Sequence, residues 1–229
     1  MTNVTGNRMV TAELDIERAR FNMIEQQIRP WEVLDPEVLD LLALVKREDF
    51  VPAAQRALAF ADLELPIGQG QTMLAPKIDA RILQELHVKN TDMVLEIGAG
   101  SGYMAALLAA RAEYVHTVEI NSSLAELAKR NLRQAGVANV SVETGDGSNG
   151  WPGSSAYDVI VVSGSLPQLP PAFLKQLKIG GRLTAFIGQA PVMHAQLITR
   201  SNETAYTTVN LFETIVAPLT AKKKQAFVF

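Results

Sequence analysis

The chain has 229 residues, 48% of them hydrophobic, enough to bury a sizeable core as one domain with an extension. Its formal charge of −3 gives no electrostatic footing for nucleic acid, and the absence of cysteine excludes disulfides, thiolate metal sites and a cysteine nucleophile. His87, His116 and His194 have no metal-ligand spacing, and neither a membrane span nor a signal peptide can be read, so a cytoplasmic protein is expected. Oligomeric state leaves no mark on the sequence.

Residues 1–11 are polar and aperiodic and are expected to form a loose tail. Over 12–29 the spacing of Leu14, Ala19, Phe21, Met23, Ile24 and Ile28 predicts a helix that Pro30 ends. Pro36 opens a second helix running to Val45, with Asp35 as its N-cap. Residues 47–71 mix short turns around Pro52, Pro66, Gly68 and Gly70, and the whole stretch 12–75 is expected to form an accessory layer over a core spanning 76–229. That core alternates strand and helix: strand 93–97, a helix from Gly102, strand 114–119, a helix from Ser122 or Ser123 to Leu132, strands 140–143 and 158–162, a helix over 172–177, and strand 182–187. Such alternation predicts an α/β fold with a doubly wound, mostly parallel sheet covered by helices on both faces. After Gly188 the strands 195–200 and 206–216 flank Ser201-Asn202-Glu203 and predict an antiparallel hairpin that completes the sheet.

The most informative stretch is Glu96-Ile97-Gly98-Ala99-Gly100-Ser101-Gly102, where a buried-strand run breaks into three alternate glycines and then becomes a helix. Glycine lets the backbone approach a ligand closely, and the helix start offers unpaired N–H groups. A dinucleotide fingerprint needs its third glycine at the position of Tyr103, so the loop is of another kind. Downstream, Glu119 ends the next strand, where a carboxylate takes both hydroxyls of a ribose, and Asp146 lies in a loop where it can accept from an adenine amino group.

The spacing Glu-x-Gly-x-Gly-x-Gly resembles the S-adenosylmethionine loop of Rossmann-like methyltransferases. From about Arg18 onward the chain resembles protein-L-isoaspartate O-methyltransferases in several further segments: 45–52, Ala61-Asp62, 65–72, Gly145-Asp146-Gly147, 157–161, 176–183 and Ala217-Pro218-Leu219-Thr220. In the run 176–183, Ile179 stands where that family usually has proline. The resemblance implies methyl transfer from S-adenosylmethionine to the side-chain carboxylate of an isoaspartyl residue in a damaged protein or peptide, with S-adenosylhomocysteine as product. It also implies that Gly98, Ala99, Gly100, Ser101 and Gly102 meet the methionine part of the cofactor, and that Glu96 ahead of them is a cofactor-binding residue. Glu119 would then hold the ribose, Ile120 would lie against the adenine, and Asp146 with Gly147 would take its edge. Gln71 and Thr72 fall where the family closes a loop over the sulfonium, and Thr220 and Gln225 fall near the cofactor at the C-terminal end.

The departure lies on the acceptor side. In Gln71-Thr72-Met73-Leu74-Ala75, Leu74 occupies the place of a family serine whose hydroxyl helps position the substrate carboxylate. A carboxylate desolvated there without a replacement donor loses on the order of 1–3 kcal/mol, and Asp79 just beyond is expected to repel it further. The segment 28–35, Ile-Arg-Pro-Trp-Glu-Val-Leu-Asp, also replaces a family Arg-Gly-Ile type turn. Two alternatives therefore stand beside isoaspartyl methylation: a more apolar or neutral acceptor in a pocket shaped by Met73, Leu74 and Trp31, or a cofactor-binding protein without chemistry.

Overall fold

The computed structural model describes residues 4–153 and 156–221. Its helices are α1 (Val4–Met23), α2 (Pro36–Leu44), α3 (Pro76–Leu86), α4 (Tyr103–Ala109), α5 (Ser122–Gln134) and α6 (Pro171–Lys175). The strands are β1 (Leu65–Gly68), β2 (Gln71–Met73), β3 (Met93–Ile97), β4 (Tyr114–Glu119), β5 (Val140–Thr144), β6 (Tyr157–Leu166), β7 (Leu177–Gln189), β8 (Val192–Arg200) and β9 (Tyr206–Thr214). β1 and β2 form a separate antiparallel pair, and the other strands form one sheet in the order β5-β4-β3-β6-β7-β8-β9. Strands β3 to β7 pair in parallel, whereas β8 and β9 complete the sheet antiparallel, as the change of pattern after Gly188 predicts.

Successive residues of the central strands feed two cores on opposite faces of the sheet. Val94, Val159 and Val161 pack with Leu83, Leu107, Leu124 and Leu132, so α3, α4 and α5 cover one face. Leu95, Ile97, Ile160 and Val162 pack with Phe173 and Leu177 on the α6 side. The amphipathic face of α5 is the expected one, and Asn121 caps its start by accepting from the amides of Ser123 and Leu124. Asp35 caps α2 through the amide of Glu37, as its sequence position predicts.

The N-terminal region differs from expectation in two ways. Helix α1 starts at Val4, so most of the stretch expected to be loose has helical backbone. It is also continuous with a packed turn, because Met23, Ile24 and Ile28 are buried in the main core and anchor its C-terminal end. That end does not run regularly to Pro30: residues Ile24–Ile28 widen into a π-helical turn and Arg29–Trp31 tighten into a 3-10 turn that accommodates the proline. The accessory residues and the sheet share a single hydrophobic core, in which Ile28, Leu42 and Phe50 sit with Val94 and Val115.

A buried cation joins the two. Arg47, 1% exposed, donates from Nη1 to Asp79 Oδ2 of α3 at 2.8 Å, from Nε to the Ala59 carbonyl at 3.0 Å, and from Nη2 to the Leu74 carbonyl. Its guanidinium also lies 5.1 Å from the ring of Tyr103 on α4. Replacing one member of such a pair leaves the other buried and uncompensated. Arg47→Met should therefore lower unfolding stability by about 3–5 kcal/mol in urea titrations, and Arg47→Met with Asp79→Leu should recover most of the loss. A double variant no more stable than the single one would show that the pair does not carry this junction.

Candidate active site

The sheet reverses its strand order between β3 and β6, and the crevice at the carboxyl ends of those strands is where an open α/β sheet offers a ligand site. A cavity of about 280 Å³ opens there. Its floor is Gly98 and Gly100, one wall is Glu119, Ile120 and Asn121, and the β1–β2 hairpin covers it with Ile67, Gln69, Gln71 and Thr72. Of the accessory stretch 12–75, this hairpin and Leu74 just after it reach the cavity.

The loop from β3 to α4 takes its shape from three positive φ angles, +97° at Gly98, +52° at Gly100 and +85° at Gly102. At Gly102 a side chain has no room, since a Cβ would stand 3.2 Å from Leu132 and 3.3 Å from the backbone of Ala128 on α5. The loop is tied down from three sides. Gly98 N donates to the Val118 carbonyl at 2.8 Å, Asn131 Nδ2 donates to the Ser101 carbonyl at 2.9 Å, and Gly100 N donates to Glu119 Oε2 at 2.9 Å. Glu119 Oε1 accepts from Asn121 N at 3.0 Å. Among the described residues each carboxylate oxygen of this buried residue accepts one hydrogen bond, which leaves it capacity for a ligand hydroxyl.

A second, smaller cavity of about 50 Å³ adjoins the first, and Ile67, Thr72, Leu74, Gly98, Gly100 and Ser163 line both. Its other walls are Met73, Asp79, Glu96, Ala99, Ser101, Tyr103 and Met104. Glu96, 1% exposed, accepts from Thr117 Oγ1 at 2.6 Å and from Ser163 Oγ at 3.3 Å. Burial pushes its pKa up to about 8, with the charges of Asp79 and Glu119 adding to the rise. Burial likewise raises Asp79 to about 6 against the opposing pull of Arg47.

The residues singled out in the sequence thus divide. Gln71, Thr72, Gly98, Gly100, Glu119, Ile120, Gly147 and Thr220 line the larger cavity, while Glu96, Ala99 and Ser101 line only the smaller one. Gly102 lines neither and serves the contact of the loop with α5. Asp146 is not in the lining either: its Oδ1 accepts from Ser148 N at 3.0 Å and shapes the turn that brings Gly145 and Gly147 to the wall. Gln225 lies outside the described residues. Trp31 packs edge-on against Phe212 and under Lys77, outside both cavities, so it does not shape a pocket with Met73 and Leu74. The expected repulsion from Asp79 is cancelled by Arg47, a partner distant in sequence that only the fold brings to it.

Sequence reasoning gave no site role to Ser163, Gly164 or the strap of residues 216–219, although Ala217-Pro218-Leu219 belongs to a segment that carries the family resemblance. Gly164 is forced by that strap, because a Cβ there would lie 2.9 Å from Leu219 Cα. Ser165 completes the attachment: its N donates to the Ala217 carbonyl, its Oγ donates to the Val216 carbonyl, and its carbonyl accepts from Leu219 N, each at 2.9 Å. The available signal was the break of the apolar run Val159-Ile160-Val161-Val162 into three small residues at the strand's ligand end.

A family model described as protein-L-isoaspartate(D-aspartate) O-methyltransferase matches residues 18–224. The chain belongs to the protein-L-isoaspartate O-methyltransferase family. Among its relatives is the protein-L-isoaspartate O-methyltransferase of Protochlamydia amoebophila, 41% identical over 204 residues that cover 88% of this chain and 96% of that one. Another is protein-L-isoaspartate O-methyltransferase 1 of Rhodopseudomonas palustris, 47% identical over 169 residues, 74% and 69% of the two chains. A solved protein-L-isoaspartate O-methyltransferase superposes with a TM-score of 0.78 at 26% identity, covering 88% of this chain and 66% of that one. A Plasmodium falciparum protein assigned to the same class, crystallised with S-adenosyl-L-homocysteine, superposes at 0.74 with 19% identity, covering 87% and 97%, and shares the fold.

Within this family's site, Glu119 both fastens the glycine loop and keeps acceptor capacity facing the cavity. Glu119→Ala should weaken S-adenosylhomocysteine binding by at least tenfold in calorimetry, since two backbone donors and any ligand hydroxyls lose a charged acceptor together. Affinity unchanged by that substitution would exclude Glu119 from the cofactor site.

Proposed function

We propose that this chain methylates the side-chain carboxylate of isoaspartyl residues in proteins or peptides, using S-adenosylmethionine and releasing S-adenosylhomocysteine. Family membership supports the reaction, and the observation that carries it in the structure is the pair of adjoining cavities. The larger has the donor set of a nucleoside site, and the smaller is of a size for a carboxylate.

The residues fit the cofactor on their own chemistry. Glu119 accepts from the ribose hydroxyls, Ile120 and Leu219 offer apolar surface to the purine, and the backbone of Gly98 and Gly100 lies bare beside the methionine portion. When bound, S-adenosylmethionine supplies a methyl group already activated on a sulfonium. Gln71 and Thr72 on the hairpin close the entrance and exclude water, Thr72 being held by its hydroxyl donating to Glu64 at 2.7 Å. Leu74 and Met73 form the apolar side of the acceptor cavity, so a carboxylate entering it sheds most of its hydration. A carboxylate is a nucleophile at neutral pH, so the residues need only orient it in line with the methyl and no general base is required. The Arg47–Asp79 pair leaves no net charge beneath that cavity to oppose an anion.

The protein incubated with methyl-labelled S-adenosylmethionine should convert an isoaspartyl peptide to a base-labile methyl ester, and leave the same peptide with ordinary aspartate unlabelled. Equal labelling of both peptides, or of neither while S-adenosylhomocysteine still binds, would remove isoaspartate as the acceptor.

A further inference from the structure

The acceptor cavity has lost one hydroxyl, at Leu74, yet a second hydroxyl stands at the seam of the two cavities. Ser163 closes the β6 end of the crevice, lines both cavities and is only half-buried, so its Oγ is within reach of solvent or ligand. It sits directly behind the glycine loop, its Cβ 3.6 Å from where a side chain on Gly98 would begin. Among the described residues its hydroxyl is bonded to Glu96, at a long 3.3 Å. A contact of that length is readily exchanged for a better acceptor.

We propose that the Ser163 hydroxyl donates to the acceptor carboxylate, on the oxygen that does not attack, and that Glu96 is the positioning residue that turns the hydroxyl toward the acceptor. The proposal rests on the isoaspartyl reading above and assigns a donor to its acceptor. Glu96 can do this because its two oxygens are differently engaged. Oε2 accepts from Thr117 Oγ1, and a proton on Oε1 would point at Ser163 Oγ. With Glu96 neutral, Oε1–H donates to Ser163, whose own hydrogen is then free for the substrate. With Glu96 ionised, Ser163 must donate to it instead, and a second negative charge faces the acceptor.

The pKa of Glu96, raised by burial to about 8, keeps the neutral form dominant at pH 7. The groups facing it are Thr117 and Glu119 from β4, Ser163 from β6 and Asp79 from α3, the last paired with Arg47, with Tyr103 of α4 on the same cavity. Burial outweighs the hydrogen bonds from Thr117 and Ser163, which favour the ionised form, so the sign is set by desolvation. Donation by Ser163 is present below about pH 8 and lost as pH rises through that value.

The test compares wild type, Ser163→Ala, Ser163→Thr, Ser163→Ala with Leu74→Ser, and Glu96→Gln on an isoaspartyl peptide. Ser163→Ala should lower kcat/KM for the peptide by about tenfold or more, with affinity for S-adenosylhomocysteine within about twofold of wild type. The threonine variant should retain activity, and Leu74→Ser should restore it by supplying a hydroxyl from the opposite wall. Wild-type kcat/KM should fall above about pH 8, and Glu96→Gln should remove that fall, because the amide cannot ionise. Unchanged kcat/KM in Ser163→Ala overturns the proposal alone, as does a parallel loss of cofactor affinity, which would assign the hydroxyl to the cofactor. A wild type that binds S-adenosylhomocysteine but leaves the isoaspartyl peptide unmethylated overturns both the reading and the proposal.

Discussion

The Arg47 guanidinium is the constraint on which the β1–β2 hairpin and the smaller cavity beside it depend. A cation with 1% exposure is tolerated only where its donors are met, and here three segments meet them: the Ala59 carbonyl, the Leu74 carbonyl and the Asp79 carboxylate. Because these contacts come from the turn before β1, the residue after β2 and the first turn of α3, the position of the hairpin over the crevice follows from one side chain. Tyr103, at the head of the helix that follows the glycine loop, packs on the same guanidinium and edge-on against Phe50 at 5.4 Å. The glycine loop and the wall of the smaller cavity are therefore registered to a common point.

Glu119 plays the corresponding part on the cofactor side. Its carboxylate satisfies amides on two loops, at Gly100 and Asn121, while the carbonyl of the same residue accepts from Gly145 N at 2.9 Å. The glycine loop, the start of α5 and the turn after β5 converge on it. Ligand hydroxyls arriving at this carboxylate meet an acceptor already oriented by the backbone, so little ordering remains to be done on binding.

What the sequence made legible was what local pattern determines. Apolar runs bounded by glycine, such as Met93 to Ile97, announced buried parallel strands, and the change of pattern after Gly188 announced the antiparallel close of the sheet. Asp35 and Pro36 announced a helix start that the structure has. What escaped was set by tertiary partners. Asp79 read as a free anion because Arg47 is remote in sequence. The helical backbone before Ala12 was illegible because its composition is polar and its support comes from the packed turn at its far end. Ser163 and Gly164 looked like an ordinary strand end, since only the strap 216–219 lying against them reveals why small residues are needed.

Leucine at position 74 takes on a physical sense in this setting. Methyl transfer to a carboxylate joins an anion to a sulfonium cation, so charge is lost on the way to the transition state. Every strong donor around the carboxylate stabilises the reactant more than the transition state. A cavity wall that has Leu74, beside Met73 and Ile67, in place of a further donor holds its acceptor less tightly, but leaves the bound carboxylate more reactive. A neutral Glu96 and a cancelled Asp79 serve the same end, because neither adds charge to the wall. Affinity for the acceptor and reactivity of the bound acceptor pull against each other in this chemistry, and the apolar wall shifts that balance toward reactivity.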